Sequence, residues 1–434
     1  MNEVVMSVLL LVTLLGSLAL GLWVSIALFL SGAVGILMFS NAPLTSALAT
    51  NVWSSSAEWS LAALPLFIWM GEILFRSRVS SDLFTGLAPW LRSLPGGLSH
   101  VGIFASGIFA AVSGSSAATC ATVAKVALPE LKKRGYDEKL VLGAIAGSGT
   151  LGLMIPPSVI LIVYGVAAEL SIARLFIAGI MPGLMIFALY AAYIALWSIL
   201  NPSKVPEKDP PLPLLERIRG TGTLIPISLL ILGVIGSIYL GIASPTDSAA
   251  VGVVLALGLS WWFGDLNWKM FKESLMAATL SSAMIAFIMA GAAFLTVAMG
   301  YSGLPARVAG WIGDLGLSNA ALLAALTVFF ILMGCFLDGV SIVVLTTAVL
   351  LPTVLQAGID PIWFGIFLVL VVEMGQLTPP VGLNLFVLQG MTGRDILFLS
   401  KAALPFFGLL IVGLILISVF PGIISFLPSL MFSK

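Results

Sequence analysis

Apolar stretches, separated at short intervals by polar turns, run from the fourth residue almost to the end of the chain. A helix needs about 20 apolar residues to cross a bilayer. Stretches that reach or approach that length lie at 4–19, 22–39, 61–75, 140–168 and 175–199, then at 222–240, 244–263, 274–300, 361–388 and 397–420. Two more, 101–128 and 320–351, are broken at their middles, by Ser113-Gly114-Ser115-Ser116 and by Leu337-Asp338-Gly339. A helix that stops at mid-membrane leaves backbone groups that lipid cannot satisfy, so the turn needs cover from protein or water. Both are expected to be re-entrant hairpins. An ordinary kinked span, its small residues serving helix packing, is the other reading.

Ten spans with two hairpins entering from opposite faces put fifteen basic residues on one side, among them Arg76, Arg78, Lys132, Lys133, Lys208, Lys269 and Arg394. The other side receives Arg174, Arg307 and Lys434. By the positive-inside rule the first side is cytoplasmic and both termini face outward. The apolar start after Met-Asn-Glu lacks a basic region and a cleavage site, so it is expected to stay as the first span.

Composition agrees. Of 434 residues 60% are hydrophobic and 9% charged, with mean hydropathy +1.16; a soluble domain carries about 25% charged residues. Nineteen Lys+Arg balance nineteen Asp+Glu with no basic stripe, which argues against a nucleic-acid partner. The lone His100 has no second histidine with which to hold a metal, and Cys120 and Cys335 are expected to be buried thiols.

The chain also repeats itself. Residues 128–157 and 351–380 align without a gap at an offset of 223, so that Leu128-Pro129, Gly135, Asp137, Gly152 and Pro156-Pro157 fall on Leu351-Pro352, Gly358, Asp360, Gly375 and Pro379-Pro380. At an offset of 220, Phe67-Ile68 and Gly71 match Phe287-Ile288 and Gly291. Each half holds five spans, an odd number, so the halves must be inverted. The expected organisation is a first repeat at 1–200, a cytoplasmic linker at 201–220 and a second repeat at 221–434. Inverted repeats with paired broken helices mark secondary transporters, whose sites lie where the helices unwind.

Each diproline removes backbone donors inside an apolar span and forces it to unwind. Just ahead stand Gly147-Ser148-Gly149-Thr150 and Gly375-Gln376-Leu377-Thr378. Freed carbonyls with Ser, Thr or Gln oxygens make a hard-oxygen cage suited to sodium. The half-helices that follow Pro156-Pro157 and Pro379-Pro380 aim positive ends at the same place, which favours an anion. Close helix packing is the plainer use of these small residues. Four carboxylates fall at membrane depth, and such groups are functional candidates by default. Asp338, at a hairpin tip, is the preferred ion ligand, with turn-shaping as the alternative; Glu373 is an ion ligand or a structural partner. Glu72 and Asp247 stand near span ends, where a capping role suffices. Lys125 either draws an anion from within its hairpin or snorkels to the interface.

SGSSAATCATV (113–123), LPELKKRGYDEKLVLGAIAGSGTLGLMIPPS (128–158), GIASPTDSAAVG (241–252) and GQLTPPVGLNLFV (375–387) resemble the large, M-type (DctM/SiaM-like) subunit of tripartite ATP-independent periplasmic (TRAP) transporters over essentially the whole chain. The resemblance implies an all-α polytopic protein of the bacterial inner membrane: two inverted repeats, each with five spans, one of them broken, and one hairpin, working as an elevator. It implies sodium as coupling ion and no other cofactor. The implied partners are a periplasmic substrate-binding protein and a small four-helix Q-type membrane subunit, expected as a separate chain because the first span begins almost at Met1. Carried over by motif, sodium ligands would come from Ser113, Ser115 and Ser116 with Gly149, Thr150 and Gly152, and from Gly334 and Asp338 with Gly375, Gln376 and Thr378. Substrate would lie between the tips, near Ser115, the two diprolines and Asn384. Lys125 and Asp338 depart from the family pattern.

The runner-up is a stand-alone sodium/dicarboxylate carrier of related fold that needs no binding protein. An enzyme would need a metal cluster, a Ser-His pair or a phosphate cradle, none of which the sequence offers. A channel usually relies on oligomeric symmetry, whereas two inverted halves in one chain suit alternating access. Four-carbon dicarboxylates, sialic and other sugar acids, keto acids and ectoine-like zwitterions all remain open as substrates.

Overall fold

The computed structural model describes residues 3–39, 43–206 and 213–432. Among these every regular element is a helix, and six helices are long and apolar enough to cross a membrane: Trp59–Arg76, Glu138–Ala167, Ile172–Leu200, Trp268–Tyr301, Gly339–Gln356 and Ile396–Val419. The chain is an all-α polytopic membrane protein. Lys208, in the expected linker, and Lys434 lie outside the described residues.

Both expected breaks exist as turns between helices. The first hairpin is Val101–Ser113 and Ser116–Lys133; the second is Asn319–Gly334 and Gly339–Gln356. The diprolines interrupt the two long buried spans, giving a first broken helix (Glu138–Gly149, Leu151–Met154, Val159–Ala167) and a second (Pro361–Gln376, Leu383–Thr392).

The matched motif has a local physical meaning in both halves. Gly135 and Gly358 stand at φ +76° and +70° just beyond a hairpin arm, in the left-handed region that glycine adopts without a Cβ penalty. Two residues on, Asp137 and Asp360 cap the broken helices, accepting from Leu140 N at 2.9 Å and Trp363 N at 2.8 Å. Both Pro-Pro bonds are cis.

Several elements escaped the apolar pattern. Leu44–Ser56 is too polar for a span and buries no residue. Val79–Leu91 is amphipathic, with Val79, Leu83, Leu87, Ala88 and Leu91 buried along one stripe. The stretch expected at 274–300 is the middle of a 35-residue helix, Trp268–Ser302, about 50 Å long and so able to span only with tilt. Leu304–Asp314 and Gly422–Phe432 are further short helices.

Burial sets the layers. Every residue from Trp363 to Gln376 is buried, and the first broken helix packs beside it with the hairpins around both. On the flank the 35-residue helix crosses Val24–Phe39 and Ala63–Arg76, a framework that packs against arms of both hairpins. Exposed Trp23, Trp53, Trp59, Trp261, Trp262 and Trp268 gather near helix ends, the usual place for interfacial aromatic residues.

Candidate functional site

Small residues build the first tip. Val101–Ser113 ends at Gly114, whose φ is +59° and whose Cα faces Pro157 O so closely that a Cβ would come within 2.9 Å of it. Ser115 caps the second arm, accepting from Ala118 N, while Ser113 Oγ and Thr119 Oγ1 are 2.7 Å apart and Thr119 Oγ1 donates to Ser115 O at 2.8 Å. Gly152 lies against the same carbonyl; a Cβ there would sit 2.7 Å from Ser115 O. The first tip is thereby seated in the gap of the first broken helix.

The second tip is seated in the same manner. Gly334 and Gly375 touch backbone to backbone, a Cβ on Gly375 falling 2.7 Å from Gly334 Cα. Asp338 caps the second arm, accepting from Val340 N at 3.1 Å, Ser341 N at 3.2 Å and the Ser341 hydroxyl. The Gln376 and Thr378 carbonyls converge on Gly382 (φ +47°), while Thr378 Oγ1 donates to Met374 O at 2.8 Å.

Between the tips and the framework lies a cavity of about 230 Å³. It brings together Ser113, Ser115 and Ser116 from one hairpin, Asp338 from the other, and Gln376 from the second broken helix. Gly149, Thr150, Gly152, Gly334 and Gly375 are buried outside this lining, Thr378 is half-buried outside it, and none of the four prolines lines it. Nor does Asn384, which is fully buried. Its Oδ1 accepts from Ser116 Oγ at 2.9 Å, its Nδ2 donates to Ala146 O at 3.0 Å, and Cys120 Sγ approaches its carbonyl at 3.8 Å. Asn384 therefore ties the first hairpin, the first broken helix and the second broken helix together.

The framework wall was not foreseen as part of the site. Ile68, Gly71, Glu72 and Phe75 line the cavity at spacings of three, one and three residues, one face of a helix, opposite Ser281, Met284 and Ile285. A Cβ on Gly71 would meet Val112 O at 3.0 Å and Ser113 Cα at 3.1 Å, so this glycine admits the tip. Its repeat match, Gly291, packs instead on Ser25 O and Leu28.

The acids divide by environment. Glu72 pairs with Arg76 one turn away, and Asp247 completes a capping box with Ser244. Glu373 is fully buried, and neither its oxygens nor Gln376 Oε1 has a hydrogen-bond partner among the described residues. Among the described residues no basic side chain lines the cavity, whereas Glu72 and Asp338 do. His100 is bonded through Nε2 to Pro95 O at 2.8 Å, and both cysteines are free and buried. At the surface of the Lys/Arg-rich side, Glu138 holds the Arg394 guanidinium above its usual range through bonds of 2.8 and 2.7 Å.

Comparison with known proteins follows the same lines. Residues 11–423 match the family model of the tripartite ATP-independent periplasmic transporter DctM component. The chain is 32% identical over 404 residues to the C4-dicarboxylate TRAP transporter large permease protein DctM of Pseudomonas aeruginosa, covering 93% of this chain and 94% of that one. It is 31% identical over 426 residues to the ectoine/5-hydroxyectoine TRAP transporter large permease protein UehC of Ruegeria pomeroyi, covering 97% and 98%. The crystal structure of the Alcanivorax borkumensis YdaH transporter has a similar fold, with a TM-score of 0.61 at 16% identity over 87% of this chain and 88% of that one.

Proposed function

The chain belongs to the DctM family of tripartite ATP-independent periplasmic transporters, and on that premise we propose that it is the large permease subunit of a sodium-driven importer of small organic acids. In this reading the hairpins and broken helices form the moving body of an elevator with two inverted repeats, 1–200 and 221–434, joined by the linker at 201–220. The flanking helices form its scaffold, padded by a small four-helix subunit. A periplasmic binding protein delivers the substrate, and both termini face the periplasm.

The observation that carries the sodium reading is the charge of the central cavity. Glu72 is paired with Arg76, but Asp338 has no basic partner among the cavity's described lining residues, so an acid enters this low-dielectric space at lower cost when cations come with it. The serine oxygens of the first tip, the converging Gln376 and Thr378 carbonyls, and the unpartnered oxygens of Glu373 and Gln376 are hard donors of the kind sodium takes. The 18-residue second arms of both hairpins aim positive N-terminal ends at the same space, which favours the substrate's carboxylate. Relatives carry names for C4-dicarboxylates and for ectoine, so succinate and ectoine are the first substrates to try.

In proteoliposomes containing both membrane subunits, uptake is expected to need an inward sodium gradient and the binding protein. Full-rate uptake in sodium-free buffer would remove sodium from the mechanism; undiminished uptake without the binding protein would remove the partner.

Asp338 offers a finer test. Its carboxylate already accepts the backbone donors of the second arm, and the proposal adds a sodium ion on its exposed side. Asparagine caps a helix as well as aspartate does but carries no charge. Asp338→Asn is therefore expected to fold with an unchanged melting temperature and to need several-fold more sodium for half-maximal uptake. An unchanged sodium half-saturation in the folded variant would leave Asp338 as a helix cap alone.

A further inference from the structure

A second chamber, of about 500 Å³, lies on the Lys/Arg-rich side of the central cavity, and Phe75 lines both. The same three helices run from one space to the other. On Ala63–Arg76 the lining passes from Glu72 to Phe75 and Arg76. On the second arm of the first hairpin it passes from Ala118 to Thr122 and Lys125, a step of about 10 Å along the axis. On the 35-residue helix it passes from Ser281 back to Glu273 and Lys269.

The charge changes sign along this route. Glu72 and Asp338 line the first space; Arg76, Arg78, Lys125 and Lys269 line the second, against one carboxylate, Glu273. Two of the four cations are engaged, Arg76 with Glu72 and Arg78 with Asp82 at 3.3 Å. Lys125 and Lys269 are exposed and have no acidic partner among the described residues. Lys125 therefore stands in a basic chamber of the protein, which favours the anion-drawing reading of this residue over snorkelling.

We infer that this chamber is an anion-binding release vestibule, in which Lys125 takes the carboxylate of the organic acid as it leaves the central cavity past Phe75. The inference rests on the import reading above and adds to it a second substrate subsite. Once the coupling cations leave, the acid is repelled by Asp338 in the cavity and attracted by Lys125 and Lys269 in the vestibule. Lys125 and Lys269 belong to different bodies in that reading, so the vestibule changes shape when the hairpin body moves, and the acid is held only while the body faces this side.

The test needs no transport. In a Cys120→Ala/Cys335→Ala background, Ser81→Cys puts a reporter thiol on an exposed position that lines the vestibule; Val126→Cys is the second reporter. The purified chain in phosphatidylcholine nanodiscs is modified with anionic methanethiosulfonate ethylsulfonate and with its cationic trimethylammonium counterpart, after a thermal-shift check that each variant is folded. The anionic reagent is expected to react about tenfold faster, as a positively lined cleft concentrates anions. Lys125→Gln should cut that ratio at least about threefold, and Lys125→Arg should keep it. Millimolar succinate should slow the anionic reagent several-fold with Lys125 present and not with Gln. A ratio near one, or one indifferent to Lys125→Gln, overturns the proposal. Protection by added phosphatidylglycerol but not by succinate would assign the site to a lipid headgroup and likewise overturn it. Labelling depends on neither sodium gradient nor binding protein, so a failure of uptake would strike the import reading and leave this result standing.

Discussion

Gly375→Val is expected to abolish uptake and to lower the melting temperature of the purified chain. Gly375 lies in the last turn of a helix buried from Trp363 onward, and its Cα lies against that of Gly334 at the tip of the second hairpin. A Cβ would fall 2.7 Å from Gly334 Cα and 3.2 Å from the carbonyl carbon of the same residue. The obstacle is backbone, so no side chain can rotate away, and overpacking of this kind costs about 1–3 kcal/mol. The helices must part just where the Gln376 and Thr378 carbonyls converge, so transport should suffer more than stability. Gly390→Ala is the control: an exposed helical glycine with nothing within 4 Å of a new Cβ, where alanine should be neutral or stabilising by up to about 1 kcal/mol. Should Gly375→Val transport normally, the close contact would have no part in the ion site.

Asn384→Ala is expected to lose at least nine-tenths of uptake together with several degrees of melting temperature. The truncation strips Ser116 Oγ of its acceptor and Ala146 O of its donor in a fully buried place. Each orphaned group costs about 1–3 kcal/mol. This result separates two roles for the residue. Were Asn384 a substrate contact, as the resemblance implies, the variant would keep its melting temperature and show mainly a raised KM. As a clamp between three elements, it should lose stability and rate together. A stable variant with a raised KM alone would return Asn384 to the substrate.

Much of the fold is legible in one dimension because its signals are local. Apolar length predicts helices that cross a membrane, and glycine and proline mark their breaks. Gly135-x-Asp137 and Gly358-x-Asp360 illustrate this: a left-handed glycine and an aspartate N-cap are settled within a few residues, whatever packs around them. The same locality explains the misses. Val79–Leu91 forms a helix without a span's hydropathy, since a short amphipathic helix needs a neighbour to cover its stripe rather than lipid; Leu44–Ser56, which buries no residue, is too polar to register as a span.

The site itself joins residues far apart in sequence, and there local pattern is silent. Asn384 meets Ser116 across 268 positions, and Gly334 finds Gly375 on another element. Gly71 and Gly291 match in the repeat, yet the first admits a hairpin tip and the second packs on a neighbouring span. Lys125 is ambiguous as a lone charge in a hairpin, and only the assembled fold puts it in one chamber with Arg76, Arg78 and Lys269. Helix existence and helix ends follow from hydropathy and backbone stereochemistry, which each residue carries with it. Which faces approach, and which oxygens and charges then share one space, follows from how closely whole helices can pack, and that emerges when the elements are assembled.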